Sequence, residues 1–374
     1  MSEMSPARRT PLQFPELPAG LGHTDEHLLL RENLRRLLSE KADLRKLRRV
    51  WQGEEAWDRE LYRELAAQGL LSVSTASDGL GAIHLAILGE EMGRVLLPSP
   101  FVATLLALFL LAGDDPLREA LDSGATRAAV AMLDAAPTLE AREHAGGWTL
   151  QGRVSHVLWG AAAEVLLAPA RLPNGELLLA RVLIPAAGAE IEAERSLDHS
   201  RPSARVRFED VAVGRADGTP LATGALERYA TLARLFFAAE MLGAADRVLE
   251  LTRVYACERR QFDRPIGAFQ AVKHPLVNLL IGVELGRSLL YGGAAALDAG
   301  LPEAELSVRM AKARASDVLT FAVERGVQLH GGFGFTWDAD LHFFFKRMLG
   351  SRAAFGDANE QRRAVADELF RGSE

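Results

Sequence analysis

The hydrophobic periodicity of the chain changes twice along its 374 residues, and this restricts the fold more than any other feature. Residues 24–129 repeat apolar side chains three and four positions apart, with charges on the opposite face, which is typical of amphipathic helices. Residues 130–213 contain short runs with period two, such as WTLQGRVSHVL and SARVRFEDVAV, separated by glycine and proline turns. After Gly218 the helical pattern returns. The sequence therefore predicts an α+β chain with an N-terminal helical domain at 24–129, a middle antiparallel β domain at 130–217 and a C-terminal helical bundle at 218–374.

Composition restricts the partners and the compartment. The single cysteine, Cys257, excludes an intrachain disulfide and a thiolate metal cluster, and it fits a reducing cytoplasm. The net charge of −7 gives no general electrostatic reason to approach nucleic acid or an anionic membrane. The first 20 residues carry proline and charge where an export signal needs an apolar run, and the apolar stretch at 101–112 is too short to span a bilayer. We therefore expect a cytoplasmic protein with no nucleic-acid partner and no membrane span.

A possible metal motif lies near the N-terminus, where His23-Thr24-Asp25-Glu26-His27 matches the H-x-x-E-H pattern of some zinc hydrolases. No clear third ligand follows, and Thr24 or Asp25 is a typical cap for a helix that begins near Glu26. The sequence contains no G-x-S-x-G elbow, P-loop or C-x-x-C pair. We therefore predict a helix start with no metal, and the hydrolase and phosphotransferase classes lose their usual support.

Two further segments carry residues that suit an anionic cofactor. Residues 258–267, ERRQFDRPIG, contain three arginines, and FQAVKH follows at 269–274. Such cations are typical of a solvated loop between helices, but arginine also clamps a pyrophosphate in bidentate geometry, and a nearby glutamine reads a sugar or ring edge. Residues 331–336, GGFGFT, follow a helix, which excludes a Rossmann fingerprint. They fit either a tight interhelical turn or a backbone that approaches a phosphate or a flat cofactor.

With these segments the chain resembles the flavin-dependent acyl-CoA dehydrogenases. The resemblance rests on ERRQFDRPIGAFQAVKH, on QLHGGFGFTWDADLHFFFKR and on the order of helical, β and helical domains, and it covers nearly the whole chain beyond residue 25. The stretch LAILGEEMGRVLLPSPF is similar to variants of the family that are common in actinobacteria. The resemblance implies the family's fold, whose C-terminal domain is a four-helix bundle, and FAD as the cofactor.

The resemblance also implies roles for individual residues. In the family, the arginine of the E-R-x-x-F motif and its neighbours bind the flavin pyrophosphate across a subunit boundary, which implies that role for Arg259 and Gln261, with Phe262 packing nearby. The family's F-Q/H-Q pair corresponds to Phe269 and Gln270. The Q-x-x-G-G segment, which would lie against the adenosine end of a neighbour's FAD, corresponds to Gln328, Leu329, His330, Gly331 and Gly332. Shared sites of this kind imply an obligate oligomer.

The chain departs from the family pattern in its β domain. The family motif T-E-P-x-x-G-S-D, which holds the flavin and the thioester, is replaced by MLDAAPT at 132–138. The next flavin contact, W-I-T or similar, falls on His156-Val157-Leu158. These changes weaken the flavin contacts expected from this domain, whereas Arg259 and the glycine turn are unaffected.

The catalytic base is the second departure. Dehydrogenation of a thioester needs a carboxylate that takes the α proton while the β hydride goes to the flavin. Most family members supply a glutamate in a Y-E-G-T context, and the corresponding stretch at 354–359, AFGDAN, offers Asp357. The base of the isovaleryl-CoA-type branch aligns with Ala233 and is absent, although Arg234 beside it would lie near the substrate. Glu240, a buried acid with a raised pKa, is a second candidate, and a chain without a working base is the third alternative.

Three functions remain open on this basis, and we favour the dehydrogenase family. The chain is an FAD-dependent acyl-CoA dehydrogenase that forms a 2-enoyl-CoA with Asp357 as base, a catalytically silent subunit that shares an FAD site with an active homologue, or a flavin oxidase or monooxygenase of the same fold. The resemblance implies an acyl-CoA substrate from fatty acid or steroid side-chain degradation and electron-transfer flavoprotein as the acceptor. It also implies a homotetramer, or a heterotetramer with a homologous subunit.

Overall fold

The computed structural model describes residues 24–74, 81–132 and 137–370 of the chain. Thr24 caps the first helix: its hydroxyl oxygen accepts the N–H of His27, and the His27 ring accepts the N–H of Thr24. The helix start predicted at the H-T-D-E-H stretch is therefore confirmed, with Thr24 as the cap. The N-terminal helices are α1 (Asp25–Lys41), α2 (Leu44–Trp51), α3 (Arg59–Ala67), α4 (Ala82–Val95), α5 (Phe101–Leu108) and α6 (Leu117–Asp122).

The middle of the chain forms a sheet with eight strands in the described residues. The strands are β1 (Ala128–Val130), β2 (Leu139–His144), β3 (Gly147–Leu158), β4 (Val165–Arg171), β5 (Leu177–Leu183), β6 (Ala189–Ala193), β7 (Ser203–Gly214) and β8 (Gly218–Pro220). Their order is β6-β7-β3-β2-β4-β5-β8, with β1 also paired to β4. Most pairs are antiparallel as predicted, but β1 and β2 run parallel to β4. The sheet is therefore mixed and not purely antiparallel. The two parallel pairs join strands that are not consecutive in the chain, and a period-two pattern does not show which distant strands pair.

Long helices form the C-terminal part. They are α7 (Ala225–Glu258), α8 (Gln270–Asp298), α9 (Ala304–His330), α10 (Leu341–Ala353) and α11 (Ala358–Leu369). α7 is the long apolar helix that the sequence predicts, and it is buried on several sides because it packs against α4, α8 and α9. Two glycines allow α4 and α7 to cross closely: a Cβ at Gly93 would lie 2.1 Å from the carbonyl oxygen of Glu240, and a Cβ at Gly243 would lie 1.9 Å from that of Glu90.

The three parts share one apolar interior. The largest cluster of buried apolar residues runs through the helices and reaches the sheet at β1, β4 and β5, while a second cluster covers the rest of the sheet. The helix α5 packs directly on the strand β1, so the packing does not separate the N-terminal helices from the sheet. The predicted domain limits therefore stay a prediction. None of the helices described combines the length and the apolar character that a membrane span requires.

Candidate functional site

The predicted pyrophosphate segment leaves the end of α7 as a tight hairpin. β9 (Arg260–Gln261) pairs with β10 (Arg264–Pro265), and the two residues between these strands, Phe262 and Asp263, have φ angles of 51° and 61°. Left-handed backbone at both central positions is the geometry of a type I′ turn. The turn projects from the bundle, and the Phe262 side chain is 84% exposed.

The surroundings of Arg259 suit an anionic ligand. Its backbone N–H donates to the carbonyl of Tyr255 at 2.8 Å, so Arg259 is the C-cap residue directly after α7. Its exposed side chain forms neither a hydrogen bond nor an ion pair with the residues that the structure describes. A guanidinium in this state keeps all its N–H donors for a phosphate. Gln261 is exposed two residues further along.

Phe269 and Gln270 lie at the start of α8, behind the hairpin. The guanidinium of Arg264 stands over the Phe269 ring, 4.1 Å from its centroid, and the Phe262 ring meets Phe269 edge-on at 6.1 Å. This cation–π contact fixes the hairpin on the first turn of α8. Gln270 is exposed beside it.

The predicted glycine turn ends α9. Gly331 caps the helix with φ 61° and ψ −142°, a conformation that only glycine adopts readily. No described atom lies within 4 Å of a Cβ built on Gly331 or Gly332, so both backbones face open space. Before the turn, Gln328 is exposed and accepts a hydrogen bond from Arg325, and Leu329 is half-buried.

The structure brings the Arg259 hairpin and the glycine turn to the same end of the helical bundle. The phenol of Tyr255 donates to the carbonyl of His330 at 3.4 Å, and the two rings stack with centroids 4.1 Å apart. Free arginine donors and an open glycine backbone fit the pyrophosphate and adenosine of a dinucleotide. These residues would therefore hold the anionic half of FAD, although their roles stay a prediction.

The segment predicted to carry the base lies elsewhere, before α11. Asp357 is the N-cap of α11: its Oδ1 accepts the N–H groups of Asn359 and Glu360 at 2.8 and 2.9 Å, and the Glu360 carboxylate accepts the N–H of Asp357. The hydrogen bonds from the Glu360 and Asn359 backbones hold the pKa of Asp357 below its usual value. Asp357 therefore acts as a helix cap, and its catalytic role stays a prediction.

Phe355, two residues earlier, points into the protein interior. Its ring is 3% exposed and contacts the rings of Tyr229 at 5.5 Å and Phe237 at 5.6 Å. A cavity of about 10 Å³ remains beside it, lined also by residues of α5, β1 and β3. This volume holds at most one water molecule.

Three side chains fix the backbone of this segment. Arg234 Nε donates to the Phe355 carbonyl at 3.3 Å, and Gln361 Nε2 donates to the same oxygen at 2.8 Å. The fully buried Lys312 donates to the carbonyls of Arg352 and Gly356, both at 3.1 Å. Arg234 thus lies next to the predicted base segment and binds its backbone, and its predicted role near the substrate stays a prediction. Sequence reasoning missed Phe355, Lys312 and Gln361; only Phe355 had a signal, because the shared glycine aligns Y-E-G-T with Ala354-Phe355-Gly356-Asp357.

Glu240 belongs to a buried charge cluster that consists of Asp198, Arg201, Glu240 and Arg347. Its carboxylate accepts hydrogen bonds from Arg201, from Arg347 at 2.9 Å and from Ser351 at 2.7 Å. Burial alone would raise the pKa of Glu240, but the charges of Arg201 and Arg347 outweigh burial and lower it. The expectation of a raised pKa is therefore wrong, because the two arginines come from distant parts of the chain and stabilise the ionised form.

The flavin-contact segment of the β domain lies at a bulge in β3. His156 has φ 59° and is exposed; its Nδ1 and its backbone N–H both lie 3.0 Å from Glu194 Oε2. Val157 is buried and Leu158 half-buried. Of the stretch that replaces T-E-P-x-x-G-S-D, residues 133–136 lie outside the described residues.

Comparisons with known proteins identify the family. The model described as acyl-CoA dehydrogenase, N-terminal domain, matches residues 24–121, and the model described as acyl-CoA dehydrogenase, C-terminal domain, matches residues 217–370. The acyl-CoA dehydrogenase IpdE2 of Mycobacterium tuberculosis is 30% identical over 352 residues, which cover 92% of this chain and 98% of that protein. The chain therefore belongs to the acyl-CoA dehydrogenase family.

Solved structures agree with this assignment. A chain of the ChsE4-ChsE5 complex from Mycobacterium tuberculosis superposes with a TM-score of 0.84 at 26% identity, covering 93% of this chain and 98% of that one. A chain of a variant of the Tcur3481-Tcur3483 steroid ACAD gives a TM-score of 0.84 at 30% identity, covering 94% of this chain and 99% of that one. Acyl-CoA dehydrogenases are FAD-containing oxidoreductases that act on CH–CH bonds, so the predicted fold class, cofactor and reaction class are confirmed.

Proposed function

We propose that this chain is one subunit of a heteromeric acyl-CoA dehydrogenase, in which it holds the pyrophosphate and adenosine end of an FAD while a homologous partner supplies the acyl-CoA pocket and the base. When bound, FAD supplies the hydride acceptor for α,β-dehydrogenation. The observation that carries the proposal is the packed Phe355 ring in the position where the family motif has its glutamate.

The alignment of the base motif supports this role. The glycine of Y-E-G-T aligns with Gly356, which has φ 92° and precedes the cap of α11, and this alignment supports Phe355 as the residue at the glutamate position. A general base needs a carboxylate within hydrogen-bond reach of the proton it takes. Phe355 has no such group, and the nearby Asp357 already binds two backbone N–H groups.

The packing of the interior points the same way. Ligand pockets are about 300–1,000 Å³ in volume, whereas the cavity between Phe355 and the sheet is about 10 Å³. The rings of Tyr229, Phe237 and Phe355 fill this region. An acyl thioester therefore has no room there unless these rings move.

The surface supports a shared cofactor site. The candidate FAD residues are mostly exposed, so they would enclose a cofactor only if another chain covered them. Large apolar side chains are exposed on the hairpin, the glycine turn and one face of α8, which is typical of a protein interface. These are Phe262, Phe333, Val277, Ile281 and Leu285.

The relatives suggest the partner and the substrate class. Two similar solved structures are named for two components each, ChsE4-ChsE5 and Tcur3481-Tcur3483, and the second is described as a steroid ACAD. By this similarity we assign to the chain a homologous partner in a heterotetramer and a bulky, steroid-derived acyl-CoA as substrate. Electron-transfer flavoprotein as acceptor and a cytoplasmic location complete the proposal.

The test compares the chain expressed alone with the chain co-expressed with a homologous acyl-CoA dehydrogenase encoded beside it. Native mass and the visible spectrum are measured, and a steroid side-chain acyl-CoA is then added without oxygen. We expect the single chain to be colourless, and the complex to contain half as many FAD molecules as chains and to bleach. A single chain that is yellow and bleaches would contradict the proposal, and one that consumes oxygen with a non-thioester substrate would indicate an oxidase or monooxygenase.

Variants in the complex separate the roles of the two candidate sites. Arg259→Ala should lower the FAD content, whereas the control Arg253→Ala, at an exposed position six residues earlier in α7, should not. Asp357→Asn should leave the bleaching rate unchanged, because the partner supplies the base. If Asp357→Asn keeps its FAD but bleaches about 10²–10⁴ times more slowly, Asp357 is the base and the proposal is wrong.

A further inference from the structure

Three aromatic rings lie nearly parallel where α7 and α9 end. Tyr255 is in the last turn of α7, His330 is the last residue of α9, and Phe333 follows in the glycine turn. The Tyr255 and His330 rings are 4.1 Å apart at an angle of 20°, and the Phe333 ring is 6.1 Å from Tyr255 at 7°. Face-to-face contact of this kind fixes both the separation and the rotation of the two helix ends.

Hydrogen bonds define the orientation of the His330 ring. Its Nδ1 lies 2.8 Å from the carbonyl oxygen of Gly326, so Nδ1 carries the proton and donates. Burial lowers the pKa of His330, which favours the neutral ring. The Tyr255 hydroxyl donates to the carbonyl of His330, one of the carbonyls that the end of α9 leaves without a helical partner.

Tyr255 is also bound to the Arg259 hairpin through its backbone. The Tyr255 carbonyl accepts the N–H of Arg259, and the Arg259 carbonyl accepts the N–H of Ile266, both at 2.8 Å. One turn before His330 the two helices lie close together: a Cβ built on Gly326 would be only 2.9 Å from Val248 of α7. Tyr255 therefore connects the arginine hairpin to the glycine turn by a continuous set of contacts.

We propose that Tyr255 and His330 are positioning residues that set the distance between the Arg259 guanidinium and the Gly331–Gly332 backbone, so that both contact the same FAD. This inference rests on the proposed function. His330 is buried and Tyr255 is half-buried, so in this proposal the two rings act through the backbone segments that they hold in place. The stack removes the freedom of the two helix ends to move relative to each other before FAD binds, and such preorganisation increases affinity.

The experiment measures the FAD dissociation constant of the complex of this chain with its homologous partner, after removal of FAD. Tyr255→Leu removes the stack and should raise the dissociation constant about tenfold, in line with the energy of one aromatic pair. Tyr255→Phe keeps the ring and should stay within about threefold. The melting temperature of the FAD-free complex should stay near that of the wild type, because only the ends of two long helices lose a contact. The visible spectrum at saturating FAD should also stay unchanged, because the proposed function places the flavin ring with the partner.

His330→Phe is a second variant, which keeps a stacking ring and removes the hydrogen bond to the Gly326 carbonyl. It tests the positioning role even if Tyr255→Leu does not fold. We expect a loss of FAD affinity smaller than that of Tyr255→Leu. Unchanged affinity in both folded variants would overturn the inference, as would a loss matched by a lower melting temperature without FAD. Arg259→Ala separates the two proposals: if it also leaves affinity unchanged, the proposed function fails, and if it alone weakens binding, only the positioning role fails.

Discussion

Glu240→Gln tests whether the buried charge cluster stabilises the fold. The side chain of Glu240 is 3% exposed, and its two oxygens accept four hydrogen bonds from Arg201, Arg347 and Ser351. Glutamine has nearly the same shape, but the change removes the negative charge and replaces one acceptor oxygen by an NH2 group that cannot accept these hydrogen bonds. The four charges of the cluster sum to zero in the wild-type protein, and the variant leaves one positive charge without compensation in the interior. Removing one partner of a buried pair in this way costs about 3–5 kcal/mol.

Urea unfolding followed by tryptophan fluorescence measures this loss. Trp51 stacks on His199 at 4.9 Å, and His199 lies in the same loop as Asp198 and Arg201. The emission of Trp51 therefore reports on the packing next to the charge cluster. The matched control is Glu192→Gln, whose partner Arg205 lies 3.2 Å away on the exposed surface of the sheet. An exposed pair contributes about 0–1 kcal/mol, so the control should unfold almost as the wild type does.

Two results would refute the reasoning. A loss below about 1 kcal/mol for Glu240→Gln, equal to that of the control, would show that the charge is not held by its neighbours in solution. Unchanged unfolding combined with loss of acyl-CoA oxidation would show instead that Glu240 acts in catalysis.

Three further outcomes are expected from the same unfolding assay. Phe355→Ala should lower the free energy of unfolding by about 3–5 kcal/mol, because the cavity it leaves is closed in by packed rings. Asp298→Ala should cost about 0.5–2 kcal/mol, since its carboxylate accepts two N–H groups at the start of α4, and faster hydrogen exchange of those amides would check it. Arginine charges hold the pKa of Asp198 and Glu240 below their usual values against the opposing effect of burial. The stabilisation that these two ionised carboxylates give to the fold is therefore full above about pH 4.3, the usual pKa of a glutamate, and is lost as the pH falls through their lowered pKa values in the folded state. Measured between about pH 5 and 2, the free energy of unfolding of Glu240→Gln should decline less steeply than that of the wild type.

Local periodicity was enough to predict the three-part fold. The periodicity before residue 129 indicates a helical region and the long apolar run after Gly218 indicates the helix α7, because each pattern depends on side chains that are close in the sequence. The parallel pairing of β1 and β2 with β4 was not predictable in the same way. It depends on which strand reaches which edge, and every alternating strand offers the same faces to several neighbours.

In the candidate site, too, the features set by neighbouring residues were predictable and those set by distant residues were not. Arg259 and Gly331 lie in contiguous motifs, and the structure places both at one end of the bundle. The state of Glu240 depends on Arg201 and Arg347, which are 39 and 107 positions away, so its flanking apolar residues indicated burial but not charge compensation. Phe355 was visible in the sequence once Gly356 was used to align the base motif, whereas aligning by the nearest carboxylate led to Asp357.

The proposed role explains why the interior and the surface of this chain differ so sharply. An empty substrate cavity forfeits packing, and a buried carboxylate without a partner is costly, so an active subunit carries both as losses of stability. In the proposed assembly only the partner has the open substrate cavity and the buried catalytic carboxylate, so only the partner is destabilised by them. In this chain the buried Phe355 ring fills the corresponding space. In the same proposal Arg259 and Gly331 bind the cofactor at an exposed end of the bundle, where they interrupt no core packing. Substitutions in the interior should therefore change stability and leave FAD content intact, and substitutions at the exposed end should do the reverse. Such a separation of effects is not expected of a subunit that carries out the whole reaction by itself.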